Sequence, residues 1–341
     1  MNAHTPPVGR LAPSPTGLLH LGNAWSFLLA WLAARSRSGT VILRQEDIDP
    51  ARSRQEWMDN IERDLHWLGL DWDEGPNAGG SHGPYQQSLC GERYLAAIDD
   101  LTSRGLVYPC YCTRKELREL AGAPHGAHDG LSDAGAAYPG TCRSLTEEQR
   151  AEKEAAGRRA SLRLLCPDGE DGRLHFDDLI LGPQSMTLTE CGGDFALRRS
   201  DGVWAYQLAV VADDIAMGVT QIVRGEDILL STPRQLLLYR LLGHDAPAFA
   251  HIPLLHDAQG ERLAKRHKSL SLAQLRDMGC RPERIVGWLA TLAGLNEDAV
   301  PLSPRALAER LASEKDGILW EKLRNRGTLI VPDGVERLWV D

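Results

Sequence analysis

Positive charge is the first thing this sequence has too little of. Its 341 residues carry 38 Lys and Arg against 47 Asp and Glu, a formal net charge of −9, the wrong sign for holding nucleic acid through overall charge. Any nucleic-acid site must therefore be a local basic patch, and the cations concentrate in 35–54 and 262–268. Long apolar runs are missing too. Residues 1–10 are polar and proline-containing, where a secretory signal needs about 7–15 apolar residues. No run of about 18 apolar residues is present to span a bilayer, so the expected address is cytoplasmic, with no membrane partner. There is no internal repeat and no heptad long enough for a coiled coil. The seven cysteines are mostly scattered, which in a reducing compartment points to thiols or metal ligands rather than disulfides. Cys90, Cys166, Cys191 and Cys280 stand alone, whereas Cys110 and Cys112 stand together with Cys142 after them.

With 43% apolar and 25% charged residues, the chain has an ordinary globular composition and room for two or three domains without disulfide support. Short apolar runs alternate with amphipathic stretches: Val8–Leu11, Leu21–Ala34, Val41–Leu43, Gln55–Leu68 and Glu92–Arg104. That strand–helix order predicts an α/β fold with a Rossmann-like parallel sheet, whose first strand–helix turn is where such sheets bind ligands. From 107 to 183 the composition shifts to paired cysteines, a Gly/Ala/His/Asp-rich loop and a charged helical run over Thr146–Gly157, then a β-like Ser161–Leu165. This predicts an insertion domain between catalytic halves at 1–106 and 184–245. The sheet pattern resumes at Phe195–Arg198, with Ser200-Asp201-Gly202 as a turn before Trp204–Ala212. Thr232 is the expected N-cap of a helix over Thr232–Leu242, with Pro233 at its first position. Residues 246–341 are expected to be mostly helical, over Ser271–Met278, Pro282–Leu292 and Ser303–Leu311, with no assignment for 315–341.

Chemistry concentrates in a few segments. Arg10-Leu11-Ala12-Pro13-Ser14-Pro15-Thr16-Gly17 leads to His20-Leu21-Gly22-Asn23. The prolines stiffen the loop, His20 opens an amphipathic helix whose N-terminal N–H groups favour a phosphate, and Gly22 permits close approach to the backbone. Arg262-Leu263-Ala264-Lys265-Arg266-His267-Lys268 is a dense basic run, and Leu43–Asp49 sets carboxylates at the end of a strand. The Arg224 guanidinium, in Val223-Arg224-Gly225-Glu226-Asp227, is suited to grip a carboxylate bidentately and reject the isosteric amide; Arg10 suits the same purpose. On residues alone, Arg224 is equally a surface partner for Glu226 or Asp227, and Tyr206 a core aromatic.

The string from Arg10 to Asn23 resembles the HIGH signature of class I aminoacyl-tRNA synthetases, and its Arg-Leu-Ala-Pro-Ser-Pro-Thr-Gly prefix resembles the glutamyl/glutaminyl branch. The basic run resembles the second signature of the class, with Arg262 replacing its first lysine and Ala264 its serine, while Lys265 keeps the lysine used on the ATP phosphates. Arg44-Gln45-Glu46-Asp47-Ile48-Asp49 is similar to the family's Arg-Ile-Glu-Asp-Thr-Asp. Further similarity at 194–202, 231–233 and 238–243 extends the resemblance from Arg10 to Leu292, although Cys90 stands where the family often has arginine. The resemblance implies that Arg10, Leu11, Ala12, Pro13, Ser14, Glu46, Tyr206 and Arg224 hold glutamate. It implies that His20, Gly22, Asn23 and Lys265 bind ATP, that His20 and Lys265 are catalytic, and that magnesium accompanies ATP.

Cys110, Cys112 and Cys142 supply three thiolates toward a tetrahedral zinc site, one short of four. Tyr138, His125, His128 and Cys166 are candidates for the fourth ligand. The Cys-x-Cys…Tyr-x-x-x-Cys pattern resembles that of glutamyl-queuosine tRNA(Asp) synthetases, which implies Tyr138 and a structural zinc. After Lys268 about seventy residues remain, too few for a further anticodon-reading domain of typical size. Together these features lead to the expectation of an enzyme that makes glutamyl-adenylate from ATP and transfers glutamate to the queuosine base of tRNA(Asp), acting as a monomer. The alternatives are a truncated glutamyl-tRNA synthetase charging a tRNA 3′ end, a small-molecule adenylating ligase, and a non-catalytic paralogue.

Overall fold

The structure is a computed structural model that describes residues 5–113, 115–117, 138–263, 271–324 and 326–340. Strand β1 (Val8–Leu11) enters the core and ends in the proline loop, and α1 (Leu21–Arg35) follows. Expected to be amphipathic, α1 is buried over most of its length, from Leu21 and Ala24 to Ala34, because it lies between the sheet and the C-terminal helices. Strand β2 (Thr40–Leu43) pairs in parallel with β1, Val8 opposite Thr40. Helices α2 (Gln55–Trp67) and α3 (Gly91–Ser103) complete the first half, close to the predicted bounds.

The inserted stretch begins with β3 (Val107–Cys110), then α4 (Glu147–Ala155), closed by a Thr146–Gln149 capping box, and β4 (Ser161–Leu164). A hairpin of β5 (Arg173–Asp178) and β6 (Gly182–Thr187) follows, so the expected boundary at 183/184 falls inside β6. Strand β7 (Ala196–Arg198) returns to make an antiparallel sheet in the order β3-β4-β7.

Beyond β7 the chain departs from the strand expected over Trp204–Ala212. The turn is present, with Arg198 bridging Trp204, but pairing stops there and Tyr206–Ala216 forms helix α5. A continuous apolar run reads the same in a buried strand and in a helix buried on all sides, and Gln207 through Asp214 are all buried. Strand β8 (Gln221–Gly225) is followed by α6 (Thr232–Leu241) and β9 (Ala248–Ile252), and β8 and β9 pair in parallel. The cap of α6 is Ser231, not the expected Thr232; the Thr232 hydroxyl instead bonds Arg224 and His251. Strand β5 joins this sheet parallel to β9 at Asp178–Phe249. The Thr220 N–H donates to the Val8 carbonyl at 2.9 Å, setting β8 beside β1.

The remainder contains β10 (Leu255–His256), α7 (Leu272–Asp277), α8 (Pro282–Leu292), α9 (Pro304–Ala312), α10 (Ile318–Arg324) and β11 (Leu329–Ile330). The stretch left without assignment is anchored: β11 pairs with β10, and Trp339, 2% exposed, meets Trp288 edge-on in the core that also holds α1. A second core joins α3, α5, α6 and β7. None of the described helices is long and apolar enough to cross a membrane.

Candidate active site

The parallel pairing of β1 with β2 continues past both strands. Arg44 N–H donates to the Leu11 carbonyl and Glu46 N–H to the Pro13 carbonyl, each at 2.9 Å. Those bonds hold Arg10, Leu11, Ala12, Pro13 and Ser14 alongside Glu46. Tyr206 and Asp214 lie eight residues apart on α5, hence on one helical face. The buried Arg44 places one terminal nitrogen 2.6 Å from Asp214 Oδ1 and the other 3.0 Å from Glu46 Oε1. Arg10 Nε lies 3.6 Å from the same Asp214 oxygen, and Tyr239 donates to its other oxygen at 3.3 Å. Burial raises the Glu46 carboxyl above the ordinary glutamate range despite Arg44 and Arg10. Burial, then the Glu46 charge, raises the Tyr206 hydroxyl.

Arg224 reaches the same cluster from β8, close enough to feel Tyr206, Arg10 and Asp214, but in different company. Its Nε donates to His251 Nε2 at 3.1 Å, its terminal nitrogens donate to Gln235 Oε1 and Thr232 Oγ1 at 2.7 Å each, and its guanidinium lies 5.0 Å from the Phe249 ring centre. Among the described residues no carboxylate pairs with it. Asp227, the alternative partner, is taken by Arg262 at 2.7 Å. Burial lowers the Arg224 pKa below the ordinary arginine value. Three guanidiniums, Arg10, Arg44 and Arg224, thus face two carboxylates, Glu46 and Asp214, leaving one positive charge for an anionic ligand.

At the other end of the loop, His20 caps α1. Its Nδ1 accepts the Gly22 N–H at 3.1 Å while its own N–H donates to Asn23 Oδ1 at 3.0 Å. A side chain at Gly22 would meet the imidazole at 3.1 Å, so the fold-back of His20 favours glycine there. With Nδ1 accepting, the proton sits on Nε2, which is left to donate. Burial and then Arg262 lower the His20 pKa, keeping the ring neutral. Lys265, together with Ala264, Arg266, His267 and Lys268, lies outside the described residues. The flanks of that run meet His20: Arg262 acts on it electrostatically, and Ser271 bridges it directly. Cys90 is buried, and Arg93, one turn on, approaches its sulfur at 3.6 Å and pairs with the buried Asp213.

Away from this cavity, Cys110, Cys112 and Cys142 place their sulfurs within 4.8 Å of one another. Tyr138 Oη lies 3.3 Å from Cys110 Sγ and 3.9 Å from Cys112 Sγ, and Cys112 and Cys142 sulfurs are 3.6 Å apart. A tetrahedral zinc–thiolate site requires sulfur separations of about 3.8 Å, so this donor set fits zinc. Cys166 is not part of the cluster; its sulfur faces the Gly193 carbonyl. His125 and His128 lie outside the described residues.

The residues that sequence reasoning passed over are those joined across long separations. Asp214 and Arg44 are 170 positions apart, and Asp178 and His251 are 73 apart. The available signal was their type: charged residues inside apolar runs, which must find partners when buried.

The comparisons agree with this geometry. The family described as tRNA synthetases class I (E and Q), catalytic domain, matches residues 8–299. A glutamyl-Q tRNA(Asp) synthetase of Nitratidesulfovibrio vulgaris (strain Hildenborough) is 61% identical over 87% of this chain and 89% of its own. A protein of the same name from Symbiobacterium thermophilum is 54% identical over 88% and 90%. In three dimensions, a glutamate-tRNA synthetase from Elizabethkingia anophelis superposes with a TM-score of 0.80 at 26% identity, covering 98% of this chain and 70% of that one. With the family model matched over residues 8–299 and relatives 61% and 54% identical over most of its length, the chain belongs to the glutamyl- and glutaminyl-type class I tRNA synthetase family.

Proposed function

We propose that this protein uses ATP to activate L-glutamate as glutamyl-adenylate and transfers the glutamate to the queuosine base at the wobble position of tRNA(Asp). The observation that carries the glutamate half is the buried cluster in which Tyr206 lies between the carboxylate of Glu46 and the neutral-partnered Arg224. A carboxylate for the ammonium group and guanidiniums for carboxylates suit an acidic amino acid and disfavour glutamine. The tRNA half rests on the two relatives named for that reaction.

In this reading the Arg10–Ser14 loop, Glu46, Tyr206 and Arg224 orient glutamate so that its α-carboxylate oxygen attacks the α-phosphorus of ATP and pyrophosphate leaves. Positioning and charge stabilisation supply most of the rate. His20 offers its Nε2–H and the N-terminus of α1 to the phosphates with Gly22 and Asn23, Lys265 neutralises the leaving pyrophosphate, and magnesium accompanies ATP. A hydroxyl of the modified base then attacks the acyl carbon of the mixed anhydride, releasing AMP, with no covalent enzyme intermediate.

Cys110, Cys112, Tyr138 and Cys142 would hold a structural zinc. Burial pushes the Cys110 thiol up, but the Tyr138 hydroxyl and the Arg163 guanidinium more than reverse it, which suits thiolate ligation. The partition into catalytic halves at 1–106 and 184–245, an insertion at 107–183 and a stem-contact region at 246–341 belongs to the same reading, as do a monomeric state and a cytoplasmic address. A second reading has one observation in its favour: a glutamate–tRNA ligase of Acidithiobacillus ferrooxidans is 43% identical over 89% of this chain, which spans 61% of that protein.

The deciding experiment is incubation with ATP and labelled glutamate and tRNA(Asp) with or without queuosine. Label should enter only the queuosine-containing tRNA and should survive removal of the 3′ terminal adenosine. Transfer that ignores queuosine, or that is lost with that adenosine, overturns the reading in favour of the 3′-end ligase.

A further inference from the structure

Behind Arg224 lies a buried pair with no role in the scheme above. His251, on β9, and Asp178, at the end of β5, are both fully enclosed, with His251 Nδ1 at 2.6 Å from Asp178 Oδ2. The Asp178 carboxylate also accepts the N–H groups of Ile180 and Leu181 at 2.9 Å and of His251 at 3.1 Å. Such a carboxylate stays ionised and takes the imidazole proton at Nδ1, which leaves Nε2 as an acceptor. That acceptor faces Arg224 Nε at 3.1 Å and Thr232 Oγ1 at 3.1 Å, while Thr232 accepts from Arg224 at 2.7 Å, closing a ring of three side chains.

The consequence concerns which edge of the guanidinium is free. Three of its five N–H donors go to His251, Gln235 and Thr232. The Nε–H is occupied, and one N–H remains on each terminal nitrogen, enough donors to grip a carboxylate bidentately. All three partners are neutral. A carboxylate in the place of His251 would fix Arg224 equally well but would cancel the charge that the substrate needs; the imidazole keeps the negative charge of Asp178 one ring away.

We infer that Asp178 and His251 are positioning residues for glutamate selection: they fix the Arg224 guanidinium with its terminal fork toward the substrate while keeping any carboxylate off it. This rests on the reading that Arg224 binds a glutamate carboxylate.

The test measures KM for glutamate and KM for ATP separately in glutamate-dependent ATP–pyrophosphate exchange, with folding followed by thermal melting. His251→Leu removes the acceptor and should raise KM for glutamate about tenfold or more, with KM for ATP changed by no more than about twofold. His251→Gln, which restores an oxygen near the Nε2 position, should recover most of the loss. His251→Glu, which also restores an acceptor but adds a charge, should be the worst of the three. Asp178→Asn should lie between wild type and His251→Leu. Equal behaviour of the Gln and Glu variants, or parallel changes in both KM values, overturns the inference. Arg224→Gln is measured alongside. If it leaves KM for glutamate unchanged, the site reading itself fails; if it raises that KM while the His251 variants do not, only the positioning role fails.

Discussion

Two buried arginines stand near the same carboxylate, Asp214, and could hardly be kept more differently. Arg44 is fully buried between Asp214 and Glu46, and although burial alone would lower its pKa, those two carboxylates raise it well above the ordinary value. Arg224, 5% exposed, has only neutral hydrogen-bond partners among the described residues, and burial lowers its pKa. Elementary electrostatics explains the contrast. A buried charge must be compensated; Arg44 is compensated by the chain itself, whereas Arg224 has only neutral partners among the described residues. In the proposed reading one guanidinium holds the site together and the other defines what enters it.

The largest effects should come from exchanging these roles. Arg44→Met strands Asp214 and Glu46 without their cation and should cost about 3–5 kcal/mol, read as a large fall in melting temperature or loss of folded protein. Arg224→Met should change stability by about 1 kcal/mol at most, since it removes an uncompensated charge along with its hydrogen bonds. Its catalytic effect should be the reverse, a loss of at least about thirtyfold in kcat/KM for glutamate. If both variants melt alike, the contrast is wrong.

The cysteine cluster is the same argument with the sign inverted. Ionised thiols at Cys110, Cys112 and Cys142 repel one another; burial and the neighbouring Cys110 push the Cys112 thiol up to about 12. A cation resolves this. Metal analysis should find one zinc per chain, and chelation should lower the melting temperature. Cys110→Ser should lose the metal, whereas Tyr138→Phe should weaken binding by less. A protein purified without zinc that melts unchanged after chelation would remove this cluster from the comparison.

Glu46 predicts two pH effects of opposite direction. Burial holds its pKa above that of an ordinary glutamate, so the folded state binds this proton more tightly than the unfolded chain does. Its contribution to stability therefore improves as pH falls through that range. Glutamate binding should weaken over the same range, because the substrate ammonium needs the carboxylate ionised. Glu46→Gln should abolish this acid limb of kcat/KM while raising KM for glutamate; an acid limb that persists in the variant assigns it to another group. The smallest effect is expected where charges are exposed. Arg305 and Glu309 form an i,i+4 pair with side chains 87% and 68% exposed, and Arg305→Ala should change stability by no more than about 0.5 kcal/mol without touching activity.

Much of this was legible in the sequence, and what was not has a physical reason. The bounds of β1, α1, β2 and α2 followed from periodicity because each buries a regular face or run. The association of Arg10, Glu46, Tyr206 and Arg224 was legible only through motif resemblance, since no local pattern brings residue 46 to residue 206. Helix α5 was misread because an apolar run buried on every side has no periodicity to distinguish it from a buried strand. Thr232 was expected to cap a helix and instead supports Arg224, because a threonine hydroxyl serves either end and only tertiary structure chooses. Asp178 and His251 signalled by their type only that each needs a buried partner, not which one, their contact being made by the parallel pairing of β5 with β9.

In the proposed reading Arg224 is kept uncompensated for the substrate. Calorimetric titration of L-glutamate into the wild-type and Arg224→Met proteins, each with its melting curve, tests it most directly. The variant should melt within a few degrees of wild type, consistent with a change of about 1 kcal/mol, and show no measurable glutamate binding. A variant that binds glutamate with wild-type affinity would contradict it.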